Sequence, residues 1–317
     1  MIAGHFQDAN NVLHGFVRSP EGLIVAFDAP GAGTGAFQGT QGFAINARGQ
    51  IAGRSIDVRY VQHGMLRASD GTIVTFDVPG AGRGVGKTSF ATNINMEGAI
   101  AGIYLGADYV VHTFLRAPDG VITPIDVPEA GTGAGQGTAV CAVDCLNPQG
   151  AIVGVYTDAH NANHAFLRAS DGTLTKFDAP GAGTGAGQGT FAIGVTPAGV
   201  IDGLYLDPKN VYHGFLRAPD GTTTVVDVPD AGNGPYLGTL PSSINSLGAM
   251  TGNYLDANNV THGFLRDERG TITTFDVPGA GTAVGRGTTP ASNNNSNEIT
   301  GYYTDASGLY HAFLRTQ

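Results

Sequence analysis

The sequence predicts an all-β fold made of one repeated, four-stranded antiparallel sheet. Three observations carry this expectation. The string His-Gly-Phe-Leu-Arg, or a near variant, begins at His14, His63, His112, His164, His213, His262 and His311, at steps of 49 residues with one step of 52. Short apolar runs are divided by Gly, Asn, Asp and Pro, and glycine is the commonest residue, 50 of 317. No window keeps a helical period.

One repeat, residues 239–287, shows each element in order. TLPSSIN (239–245) reads as a short strand A, and SLG makes a tight turn. AMTGNYLD (249–256) is strand B, and ANNV is a polar hairpin loop. THGFLR (261–266) is strand C, and DERG is a second tight turn. TITTFDV (271–277) is strand D, and PGAGTAVGRG (278–287) is a Gly-rich link to the next repeat. Three short connections make A to D an antiparallel meander. Only the link from D to the next A is long enough to pass from the outer edge of one sheet to the inner edge of the next. Radial repetition of such sheets is a β-propeller, so residues 1–317 are expected to form a single propeller domain.

The chain opens on a B strand (IAGHFQD) and closes on a C strand (HAFLRTQ). Seven B, seven C, six A and six D strands are therefore expected. A preceding half-repeat of about 26 residues would bring the length to seven full repeats. Seven blades are expected, the first lacking A and the last lacking D. Six blades with a surplus hairpin is the alternative. An unfilled edge at the gap is a pairing hazard, which opens the way to strand exchange between chains.

The recurring polar residues are read first as structural. Pairing Phe264 with Thr274 across the C–D hairpin sets His262 opposite Asp276. The same spacing gives His14 with Asp28, His63 with Asp77, His112 with Asp126, His164 with Asp178 and His213 with Asp227. A hydrogen-bonded pair in each repeat would fix hairpin register. Arg18, Arg67, Arg116, Arg168, Arg217, Arg266 and Arg315 end the C strands, where they can bond turn carbonyls or a neighbouring blade. The B–C loops carry Asp8, Asp57, Asp158, Asp207, Asp256 and Asp305, a residue that caps its own turn. Asp158, Asp207, Asp256 and Asp305 are weak calcium candidates, since each loop offers a single carboxylate. No other cofactor is expected.

The pattern IxGxYxDxxxxxHGFLRxxDGTxTxFDxPGAG resembles the HAF repeat, a bacterial extracellular repeat family. The match runs from Ile2 to Arg315 and is sharpest in YLDANNVTHGFLR (254–266) and YTDASGLYHAFLR (303–315). The second repeat departs from it, with Ser55 at the Tyr position and Met65 at the Phe position. The resemblance implies a propeller and an exported protein, extracellular or periplasmic. It carries no established activity and so transfers no catalytic residue.

Where the copies disagree, a ligand can be recognised. One aligned position in the D–A link holds Gln38, Lys87, Gln136, Gln188, Leu237 and Arg286, flanked by Gly that lets backbone approach a ligand. With Tyr236, and Phe37 as its counterpart, these residues are expected at the mouth of a central channel. The favoured function is a binding propeller that presents these loops to a glycan, a peptide or a surface partner. The alternatives are a polysaccharide lyase or hydrolase using Lys87, Tyr236 and Arg286, and a structural module of a larger surface protein.

Other classes are disfavoured. The net charge is −10 and the arginines are spread along the repeats, so nucleic-acid binding is not expected. No apolar stretch is long enough to span a membrane as a helix. AGRGVGKT (81–88) mimics a phosphate loop, but Ala81 stands where its first Gly belongs and a strand follows instead of a helix. Cys141 and Cys145, in the one repeat with an insertion, read as a local disulfide or two buried thiols.

Overall fold

The computed structural model describes residues 1–82, 84, 88–141 and 144–316. Among these residues every regular element is a strand. The first repeat contributes β1 (Ile2–Gln7), β2 (Leu13–Arg18) and β3 (Ile24–Phe27), the B, C and D strands. The second holds β4 (Gly39–Ile45), β5 (Ile51–Ile56), β6 (Gln62–Arg67) and β7 (Ile73–Phe76). The third holds β8 (Ser89–Ile94), β9 (Ile100–Leu105), β10 (Val111–Arg116) and β11 (Ile122–Ile125). The fourth holds β12 (Gly137–Ala139), β13 (Ile152–Thr157), β14 (Asn163–Arg168) and β15 (Leu174–Phe177). The fifth holds β16 (Gly189–Val195), β17 (Ile201–Leu206), β18 (Tyr212–Arg217) and β19 (Thr223–Val226). The sixth holds β20 (Gly238–Ile244), β21 (Met250–Leu255), β22 (Thr261–Arg266) and β23 (Ile272–Phe275). The last ends with β24 (Gly287–Asn293), β25 (Ile299–Thr304) and β26 (Tyr310–Arg315), the A, B and C strands.

The chain divides into two compact units. One comprises Met1–Ile152, Tyr156–Ala159 and Ala169–Asp171; the other comprises Val153–Val155, His160–Arg168 and Gly172–Gln317.

Within each unit the meander is regular. In the sixth repeat β20 pairs β21, β21 pairs β22 and β22 pairs β23, all antiparallel, with Phe264 opposite Thr274. Each fully paired A strand carries a bulge against its B strand, between Ala192 and Gly194 in β16 and between Pro241 and Ser243 in β20. The start of A also touches the start of the preceding C strand in a parallel bridge, Tyr212 to Gly238. Gly238 adopts φ of 124° there, a backbone conformation open in practice only to glycine.

The core lies between successive sheets. Val226 and Val228 at the end of the fifth repeat pack on Met250, Tyr254 and Phe264 of the sixth. In the other unit, Ala52 and Val78 meet Ala91, Ile100, Tyr104 and Phe114 of the following repeat. A lone sheet could not bury these side chains, so each repeat depends on its neighbour. C strands therefore carry apolar residues on both faces: Phe264 is enclosed against the repeat before it, and Leu265 packs with Ile299 of the repeat after it.

Polar contacts reinforce the stacking. The A–B turns hold Asn46, Asn95 and Asn245, whose Oδ1 atoms accept amides of their own turns. Their Nδ2 groups donate to the carbonyl at the same position one repeat on: Asn46 to Asn95 at 2.8 Å, Asn95 to Asn147 at 3.2 Å, and Asn245 to Asn294 at 2.9 Å. Where the D strand of the preceding repeat ends in phenylalanine, the arginine that ends the C strand lies over that ring. Arg67 sits 5.1 Å from the centroid of Phe27, and Arg217 sits 4.5 Å from that of Phe177.

Candidate functional site

The B–C loops and D–A links recur with the same few contacts among the described residues. In the sixth repeat the Oδ1 atom of Asp256 accepts the amides of Asn258 and Val260, closing the B–C loop. Its Oδ2 atom lies 3.7 Å from His262 Nε2. His262 Nδ1 meets Asp276 Oδ2 at 2.9 Å, and its ring stacks on Tyr254 with centroids 5.0 Å apart. The imidazole thus sits between two carboxylates and a phenol ring, tying strands B, C and D at one end.

The other pairs repeat this geometry. Nδ1 lies 3.0 Å from Asp28 in His14, 2.6 Å from Asp77 in His63 and 2.9 Å from Asp126 in His112. It lies 2.9 Å from Asp178 in His164 and 2.9 Å from Asp227 in His213. Tyr104 and Tyr205 stack on His112 and His213, and Phe6 takes that place beside His14. In the last repeat His311 Nε2 bonds Asp305 Oδ2 at 2.9 Å.

Asp207, Asp256 and Asp305 each accept two amides of their own loops. Asp158 stands at the corresponding loop of the fourth repeat. Among the described residues no three His, Cys, Asp or Glu side chains are grouped to hold a metal ion.

Two of these loop carboxyls, Asp256 and Asp305, titrate low. The Ser307 hydroxyl, then His311, holds the Asp305 carboxyl well below the usual carboxylate range. For Asp256, partial burial works towards a higher value, but the Val260 and Asn258 amides outweigh it and leave a lowered one. A carboxyl depressed in the folded state adds stability above its unfolded pKa, and that stability is lost as the pH falls through the folded pKa. Thermal stability is therefore expected to decline below about pH 4 as the B–C loops protonate. Melting curves between about pH 6 and pH 3 check this, and the Asp256→Asn variant should show a flatter acid limb.

The D–A links bond to the loops beside them. Gln38 is buried: its Oε1 accepts the Gly35 amide, and its Nε2 donates to the Val58 carbonyl of the next B–C loop. Gln136 Oε1 accepts the Gly133 amide. Gln188 repeats that contact with Gly185 and donates to the Pro208 carbonyl and to Asn210 Oδ1. Arg286 donates to the Asp305 carbonyl at 3.1 Å. Gln38, Gln188 and Arg286 thus join link to loop, each in a different repeat. Lys87 lies outside the described residues.

Within each unit, some of these loops expose aromatic side chains. Phe37 is 61% exposed and Tyr236 is 58% exposed, at equivalent positions in two links, with φ of 62° and 61°. The matching residues in other links are Gly135, Gly187 and Gly285, also at positive φ. Tyr60 and Tyr109 occupy a second left-handed position, in the B–C loops, where other repeats carry Asn11, Asn161, Asn210 and Asn259. Both tyrosines are exposed. A left-handed backbone costs a non-glycine residue about 1–2 kcal/mol. Asn tolerates it through its short polar side chain, whereas an aromatic residue gains nothing local from it. In one unit the Tyr60 hydroxyl donates to the Ala36 carbonyl, beside Phe37. In the other, the Tyr236 amide donates to the Asn210 carbonyl and its ring lies 6.4 Å from that of Tyr212. Sequence reading found Phe37 and Tyr236 as aromatic but passed over Tyr60 and Tyr109; aligning them with the Asn of other repeats was the signal available.

Cys145 is buried, which pushes its thiol pKa up. Asn93 accepts the Cys145 amide and donates to the Cys141 carbonyl.

No protein-family model and no curated protein sequence matches the chain. Several solved structures are similar in backbone course. One is the Aleuria aurantia lectin, described as a six-bladed β-propeller with a fucose recognition mode; it is 12% identical over 86% of this chain and 89% of that chain, with a TM-score of 0.47. A mutant of AofleA from Arthrobotrys oligospora is 12% identical over 86% of this chain and 81% of that one, TM-score 0.47. The Trypanosoma rangeli sialidase in complex with 2,3-difluorosialic acid is 10% identical over 99% of this chain and 58% of its own, TM-score 0.47.

Proposed function

We propose that the chain is an exported HAF-repeat β-propeller of seven blades that binds glycans on its loop rim. The observation that carries the binding reading is the set of exposed aromatic residues at left-handed backbone positions, Phe37, Tyr60, Tyr109 and Tyr236. Folding alone favours Gly or Asn there, so these rings are kept against local backbone preference. An outward-facing ring offers a flat apolar surface to the C–H face of a sugar, and aromatic anchors dominate recognition energetics. Around Tyr236 the neighbouring groups are Tyr212 and the amide-bearing Asn210 and Gln188, which suit hydroxyl-rich ligands. The acidic balance of the chain argues for neutral or weakly charged sugars over polyanions.

The test is a glycan array read with the intact protein and with Tyr236→Gly. A saccharide bound by the intact chain should bind the variant about 10-fold more weakly. The variant should melt at the same temperature or slightly higher, because glycine relieves the left-handed backbone. A blank array, or equal binding by the variant, would defeat the reading.

A further inference from the structure

We infer that Arg54, set between the sheets of the second and third repeats, anchors a binding site for a small carboxylate ligand. This inference stands apart from the glycan reading and uses different residues.

Arg54 occupies a position that the fold elsewhere fills with other chemistry. It stands in β5, opposite Gln41 of the A strand β4. The same cross-strand pair is Phe90 with Ile103 in the third repeat and Phe191 with Leu204 in the fifth. It is Leu240 with Asn253 in the sixth and Thr289 with Tyr302 in the last. None of these residues is charged, so the sheet does not need a cation here to form. Two residues earlier on the same face of β5, Ala52 enters the core with Ala91 and Phe114 of the third repeat. Arg54 turns towards that repeat as well. Its Cζ lies 4.7 Å from the ring centroid of Phe90 and 5.7 Å from that of Phe43, and the two rings meet edge to face at 4.7 Å.

The guanidinium is held in place but not neutralised. Its Nε donates to Gln41 Oε1 at 2.6 Å, and its Nη1 donates to Gln62 Oε1 at 2.5 Å. Both acceptors are uncharged amides. Burial lowers the guanidinium pKa, with no carboxylate acting against it among the described residues. A charge withdrawn from water is costly until an opposite charge meets it, and aromatic faces return only part of that cost. An anion would return the rest. The donors to receive one are present. Arg54 Nη2 and the Nε2 groups of Gln41 and Gln62 make no hydrogen bond within the protein, and none of the three is sealed from solvent. The two glutamines fix the plane of the guanidinium, so its open edge is offered in one orientation. A planar fork so fixed matches a carboxylate better than it matches a spherical or tetrahedral anion. Phe43 and Phe90 keep water from one side of the cation, which strengthens its pull on a bound anion.

The probes are acetate, benzoate and D-glucuronate, titrated into the full chain, with D-glucose as the uncharged comparison. Binding is read from the NMR signal of the Arg54 Nε–H group, assigned by its loss in Arg54→Leu. At least one carboxylate should shift that signal saturably, and D-glucose should leave it in place. Arg54→Leu puts the residue of the fifth repeat at this position. It should melt no lower than the parent without ligand and bind the same carboxylate at least about 10-fold more weakly by calorimetry. Arg54→Lys keeps the charge, loses the fork and should also weaken binding about 10-fold. No shift with any of the three carboxylates, an equal shift with D-glucose, or undiminished binding by Arg54→Leu or Arg54→Lys would overturn the proposal. Inorganic phosphate bound more tightly than every carboxylate would overturn it too, as would a ligand-free Arg54→Leu chain that melts well below the parent, since the cation would then serve packing alone.

Discussion

Phe264→Ala is expected to destabilise the protein by about 3–5 kcal/mol. Phe264 is fully buried, and its ring fills the space between two sheets, against Val226 and Val228 of one repeat and Met250 and Tyr254 of its own. Strands on either side are fixed by their hydrogen-bond ladders, so the walls of the resulting cavity can relax only partly. The loss should exceed simple transfer of the ring to water. Urea denaturation followed by fluorescence or circular dichroism measures it. Leu247→Ala, at an exposed turn of the same repeat, serves as the comparison and should stay within about 0.5 kcal/mol. If the two variants unfold at the same urea concentration, the cohesion between these sheets does not lie where the packing places it.

Gly238→Ala should cost about 3 kcal/mol although it adds a single methyl group. At φ of 124° an L-residue is strained whatever space surrounds it, and here the new Cβ would also collide with the Tyr212 carbonyl. That carbonyl belongs to the parallel bridge joining β18 to β20, so neither chain can retreat without opening the start of a sheet. Gly285→Ala separates the two causes. Its φ is 70° and nothing lies within 4 Å of the position a Cβ would take, so only the backbone penalty of about 1–2 kcal/mol applies. Equal midpoints in urea for the two variants would show that the close approach at Gly238 contributes nothing.

How much could be read from the sequence follows from the range of the interactions. The strand inventory was legible because it depends on local signals: DERG and SLG turn the chain, and the runs between them are too short for helices. The C–D register was legible too, since a tight turn fixes which residues face each other across it, as Phe264 and Thr274 do. The bulges in the A strands were not legible. LPSS looks like four ordinary strand residues, and the displaced Ser242 is explained only by its hydroxyl donating to the Pro290 carbonyl one repeat away. The asparagine chain through Asn46, Asn95 and Asn147 was missed for the same reason, as an Asn after a strand reads as a turn residue until the next repeat is placed beside it.

For the candidate site, sequence reading named the D–A links but not the direction in which their side chains turn. Gln38 and Tyr236 stand in equivalent links one residue apart in alignment. Backbone geometry sends the amide inward to Gly35 and Val58 and the ring out to solvent. That division rests on the left-handed residue in the link, which no hydropathy pattern reports.

The left-handed link position occupied by Phe37 and Tyr236 also bears on how such a protein changes over generations. Gly135, Gly187 and Gly285 show that the backbone holds this conformation with no side chain at all. The residue there is thus uncoupled from the packing that keeps each sheet in place, and exchanging it alters the surface while the interior stays as it was. Each copy can change the residue it shows at this point independently of the others.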